Sequence, residues 1–144
     1  MIRSIARRGF TLSAWSYPVA LGAQIFFAGL YVFAGPSNIE LHRNGAHVIG
    51  ALTLLLVATA HLGAIGRSDR LMAWGVAGLL AIQGGLVHVH QIFDAPVIAA
   101  LHPVNAMILF WVSLTLARRA RAYWNAESTP PATRGVAVRE PAAP

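Results

Sequence analysis

The run NGAHVIGALTLLLVATAHLGAIG, Asn44 to Gly66, carries no charged side chain over 23 residues, and its length decides the fold. About 20 apolar residues in a helix, each rising 1.5 Å, cross the hydrocarbon of a bilayer. Two more uncharged runs of equal length follow, Leu71 to Phe93 and Ala95 to Ala117, and Gly9 to Ile39 forms a longer one upstream. The expectation is an all-α fold of four transmembrane helices at roughly 14–34, 45–66, 71–91 and 97–117. Of 144 residues, 56% are hydrophobic and 11% charged, which leaves too little polar surface to clothe a soluble core joined by such short links.

Charge then orients the spans. All eleven basic residues are arginine. Arg3, Arg7 and Arg8 precede the first span, Arg67 and Arg70 lie between the second and third, and Arg118, Arg119, Arg121, Arg134 and Arg139 follow the fourth. Only Arg43 falls on the other side, so the positive-inside rule places both termini in the cytoplasm of a bacterial inner membrane. The basic pI reports this topology and calls for no nucleic-acid partner. The first apolar run exceeds the 7–15 residues of a signal peptide's apolar core and is expected to remain as a helix. With no cysteine, disulfides and thiolate ligands are excluded.

The chain divides into a basic cytoplasmic lead over 1–13, a four-helix membrane domain over 14–124 and a disordered cytoplasmic tail over 125–144, where Pro, Ala and Thr replace the apolar period. The tight Gly66 to Arg70 link makes the second and third helices antiparallel neighbours. Asp94, Ala95 and Pro96 break the third from the fourth. Pro103 sets an alternative: the fourth helix begins near residue 102 or kinks there.

Within this frame the chain reads as two repeated helix pairs. Gln24 on the first helix precedes Leu41-His42-Arg43-Asn44-Gly45-Ala46, and Gln83 on the third precedes Leu101-His102-Pro103-Val104-Asn105-Ala106; the Gln-to-His separations are 18 and 19. The second and fourth helices of a four-helix bundle are diagonal partners. Two imidazoles at one level across the axis are what a planar macrocycle with six-coordinate iron requires, one on each face. His42 and His102 are therefore the expected axial ligands of a single haem b. The bland alternative is that each histidine makes an ordinary interfacial hydrogen bond.

Other histidines crowd the same outer half. His47 lies five residues after His42, about 140° round the helix, so only one of the two faces the axis. His88 and His90 are about 200° apart on the third helix, and at most one points inward. His61 lies at the opposite end, where no other helix offers a second histidine, and a second haem is discounted. Arg43 would suit haem propionates, Glu40 could orient an imidazole, and Asn105 could repair the carbonyl freed by Pro103 or fasten a neighbouring helix. A copper or zinc site built from the outer histidines is a further reading.

These residues resemble one four-helix half of bacterial haem A synthase. Glu40-Leu41-His42-Arg43 looks like its Glu/His-Arg motif at the start of the second helix, His102 corresponds to the ligand on the fourth, and Gln83-Gly84 is similar to its Gln/Gly stretch on the third. The chain also looks like an uncharacterised group of small four-helix bacterial membrane proteins that share a Leu-His-Pro-x-Asn signature. One residue separates Glu from His here where the synthase has two, and the chain has half its length, so the resemblance implies a haem-binding module and not the oxidative chemistry. The expected function is an electron-transferring b-type cytochrome. A single haem near one face cannot pass electrons across the bilayer alone, so a quinone or protein partner is implied. The rival is a cofactor-free accessory subunit of a larger membrane complex.

Overall fold

In hydrocarbon every backbone N–H and C=O must find its partner inside the segment, which leaves the helix as the solution for these runs. The computed structural model describes residues 1–128. It contains α1 (Ile2–Ala34), a 3-10 turn (Pro36–Asn38), α2 (Ile39–Leu62), α3 (Arg67–Phe93), a one-turn α4 (Pro96–Ala99) and α5 (Leu101–Ser128). Four helices are long and apolar enough to cross a membrane, so the chain is a multi-pass membrane protein. They pack in the ring α1–α2–α3–α5, with α2 and α5 diagonal across the axis. One end of this antiparallel bundle gathers most of the arginines; the other gathers His42, His47, His88, His90 and His102.

Two boundaries differ from those read in the sequence. The basic lead, expected as a separate segment over 1–13, is helical and continuous with α1. Arg3, Arg7 and Arg8 do not end a helix whose backbone bonds are already satisfied internally, because charge limits membrane depth and not helicity. At the other terminus, residues 125–128 extend α5 and do not belong to the tail; the remaining 129–144 lie outside the described residues. Pro103 is the third residue of α5, in the first turn, where its missing N–H costs no helical bond.

The links follow from local chemistry. Gly35 joins α1 to the 3-10 turn with φ of 117°, a conformation other residues rarely adopt. Between α2 and α3, Gly63 N–H donates to Thr59 O at 2.9 Å and Ile65 N–H to Ala60 O at 3.0 Å, and Ile65 is driven into the core. A Cβ on Gly63 would meet Thr59 O at 2.9 Å and the Arg7 backbone nitrogen at 3.2 Å, so α1 approaches the end of α2 only because that residue is glycine.

The core fills the arginine half and ends near mid-bundle at Ile49 and Leu109. Phe10, Ala14, Tyr17, Leu56, Ala60, Ala73, Val76, Leu116 and Ala120 are all buried there. The Tyr17 hydroxyl lies 2.9 Å from Thr53 Oγ1, which itself donates to Ile49 O at 2.8 Å. Asp69, also buried, ties three elements together. It accepts from the Tyr123 hydroxyl at 2.7 Å and pairs with Arg119, while Tyr123 Oη accepts from Gly66 N–H at 3.1 Å. Phe10 packs edge-on against Tyr123 with ring centres 5.8 Å apart. From Gly22 to Val48 and from Ala77 to Ile108, by contrast, only Gln24 and Asn105 are buried.

Candidate functional site: a histidine pair across the bundle axis

The diagonal placement of α2 and α5 brings His42 and His102 together with ring centroids 6.3 Å apart and planes inclined at 60°. Each ring is held by the main chain of the preceding long helix. His42 Nδ1 lies 3.2 Å from Gln24 O, and His102 Nδ1 lies 3.1 Å from Gln83 O. A carbonyl can only accept, so each Nδ1 carries a proton, and in the neutral ring Nε2 is then the nitrogen with the lone pair. This is the arrangement in which imidazole ligates a metal, its other nitrogen donating to a carbonyl or carboxylate that fixes tautomer and orientation.

The two buried residues of this half build the frame. Gln24 Nε2 donates to His42 O at 2.9 Å, returning the bond that His42 gives to its own carbonyl. A Cβ on Gly45 would collide with the Gln24 amide, so glycine three residues after His42 makes the space this exchange needs. In the second pair the residue three after the histidine is Asn105. Its Nδ2 donates to Leu79 O at 2.9 Å and to Gln83 Oε1, fastening α5 to α3 on the turn below His102. The pairs thus reach one histidine geometry by different means.

The remaining candidates lie around the pair. Glu40 and Arg43 form an exposed ion pair with each other at 2.7 Å, so the orienting partner of His42 is a main-chain carbonyl and not Glu40. His47 and His88 are exposed. His90 is partly buried, and its Nδ1 is shielded without a hydrogen-bond partner among the described residues. Gln83 serves through its carbonyl. Gly84 is exposed, and a Cβ there would meet nothing within 4 Å. His61, at the arginine end, accepts from Trp74 Nε1 at 3.0 Å.

Among the described residues no three His, Cys, Asp or Glu side chains group as a metal site. The donor set is two imidazoles, which suits an ion whose other ligands come from a macrocycle. Coaxial imidazoles on one ion have ring centres separated by two metal–nitrogen bonds of about 2 Å plus two ring radii, roughly 6 Å in all. The observed separation meets that requirement.

Sequence reasoning missed three features: the Asp69–Arg119–Tyr123 cluster, the role of Gly45 and the His61–Trp74 bond. Only Gly45 left a signal, as the counterpart of Asn105 in the second pair.

The fold and site define a four-span, all-helical membrane protein with a two-histidine centre near one end. Residues 24–89 match the model of a family described as a family of unknown function (DUF6220); the match takes in Gln24, His42 and Gln83 and stops short of His102. No curated protein and no solved structure matches the chain.

Proposed function

We propose that the protein is an integral membrane b-type cytochrome of the bacterial inner membrane, holding one haem between His42 and His102 near the outer face. The observation that carries this reading is the imidazole pair itself: two rings 6.3 Å apart on diagonal helices, each with Nδ1 committed to a carbonyl and Nε2 left to ligate. When bound, iron porphyrin supplies a one-electron couple. The chain's own part is to hold and to tune. The carbonyls of Gln24 and Gln83 raise the basicity of the ligating nitrogens, and the amides of Gln24 and Asn105 fix the helix backbones that present them. Exposed Arg43 offers charge to propionates at the rim. The absence of a buried apolar core in the histidine half is consistent with a half completed by something other than side chains. The resemblance to a half of haem A synthase supports the same reading, and a quinone or a protein of a larger complex would exchange the electron.

The test is the absorption spectrum of the full chain purified from cells able to make haem. A Soret band that shifts on reduction is expected, and His42→Ala and His102→Ala are each expected to abolish it. His61→Ala should leave it unchanged. A colourless preparation overturns the proposal.

A second reading, the cofactor-free accessory subunit, is favoured by one observation. Added Cβ atoms at Gly78, Gly84 and Gly85 would meet nothing within 4 Å, which leaves α3 a small-residue face that another helix could approach closely. A colourless chain that co-purifies stoichiometrically with a membrane partner would favour it.

A further inference from the structure

A groove of about 830 Å³ runs along the outside of the bundle at the arginine end, between α3 and α5. Its walls are Leu71, Met72, Gly75 and Leu79 of α3 with Val112 of α5, and its mouth is Arg67 and Ser68. From Arg67 to Leu79 the helix rises about 18 Å, close to the hydrocarbon depth of one leaflet at about 15 Å. The groove therefore has the length of one acyl chain and a cationic end at the headgroup level.

The mouth is built for an anion. The Arg67 guanidinium has no hydrogen bond or ion pair among the described residues. Its neighbour Arg119 is different, being spent on Asp69 and on Ser68 Oγ, which accepts from it at 3.0 Å. Ser68 used as an acceptor keeps its own O–H to donate. Arg67 also opens α3, whose N-terminus has no side-chain cap, so the helix dipole adds to the positive potential there. An uncommitted cation in line with a shallow, open apolar groove of leaflet length matches a phosphodiester headgroup with its chain attached. It gives no reason for a neutral lipid to be preferred.

The geometry points to a specific site for an anionic phospholipid of the cytoplasmic leaflet, with its phosphate on Arg67 and Ser68 and one acyl chain along Gly75 between α3 and α5. The inference rests on the positive-inside orientation and is independent of the histidine pair. Basic pockets between spanning helices on the cytoplasmic side are where such headgroups bind.

The full chain, delipidated in detergent, is supplied with phosphatidylglycerol or phosphatidylcholine, and retained lipid is counted by native mass spectrometry. Preferential retention of one phosphatidylglycerol is expected. Arg67→Gln should reduce it about fivefold, the effect of one basic group at an anionic surface. Gly75→Leu should reduce retention further while leaving helicity and elution volume unchanged, since a Cβ at 75 would meet nothing within 4 Å. Equal retention of the two lipids overturns the assignment, as does Arg67→Gln behaving like the parent chain. Displacement of the lipid by an equimolar uncharged isoprenoid quinone would mean a groove that selects a chain and not a charge, and overturns it too.

Discussion

The two ends of this bundle are built on opposite plans. At the arginine end, helices meet through side chains: Leu56, Ala60, Val76 and Leu116 are buried to 1% exposure or less, and Asp69, Arg119, Tyr123 and the Gly66 backbone close the seam. At the histidine end the same four helices bury two amides and nothing else. Packing and the histidine pair are thereby separated along the bundle axis. The packed half joins its helices through apolar contact, and the open half joins them through the hydrogen bonds of Gln24, His42, His102 and Asn105.

The largest break in this comparison is expected from Leu56→Ala, at 1% exposure. It should lower unfolding free energy by about 2–5 kcal/mol, measured by reversible denaturation in detergent, whereas Val48→Ala in the open half, at 57% exposure, should change it by under about 0.5 kcal/mol. Equal effects at the two positions would erase the distinction. Next comes Asp69→Asn, which keeps the shape and removes the charge that Arg119 and Tyr123 address. A loss of about 1.5–3 kcal/mol is expected, with the spectrum of the proposed haem untouched.

A smaller effect on stability than that of Asp69→Asn is expected from Gly45→Ala. The added methyl displaces only the end of the Gln24 side chain, so an overpacking cost of about 1–3 kcal/mol is offset by the roughly 1 kcal/mol that Ala gains over Gly in a helix. The site should respond more strongly. With the Gln24–His42 exchange broken, haem content or its reduction potential is expected to change, while Ala at Gly50, where a Cβ meets nothing within 4 Å, changes neither.

How much of this could be read in the sequence divides along the same axis. The four spans were legible because hydrocarbon leaves so few options: a run like Asn44 to Gly66 must be a helix, and short links must make neighbours antiparallel. The diagonal relation of α2 and α5 followed from that topology, and with it the meeting of His42 and His102. The start of α1 was not legible, because Arg3, Arg7 and Arg8 mark where the membrane ends and say nothing about where the helix does. Asp69 looked like one polar residue in a short link, since its partner Tyr123 is 54 residues away and no periodicity connects them. That His42 and His102 donate to main-chain carbonyls was beyond any reading of side-chain types. The sequence offered Glu40 as the orienting group because it is near in number, and the carbonyl of Gln24 is nearer in space.

The continuous α1 has one more result. Its 33 residues make a rod of about 50 Å, some 20 Å more than the hydrocarbon it crosses. Its first turns lie beside the last turns of α5, where the Arg8 guanidinium lies 5.9 Å from the centre of the Trp124 ring. These turns are braced on two sides, by that contact with α5 and by Arg7 Nε, which donates to Gly63 O at the end of α2 at 3.0 Å. A displacement of these turns would be carried along the same two helices whose other ends supply Gln24 and His102.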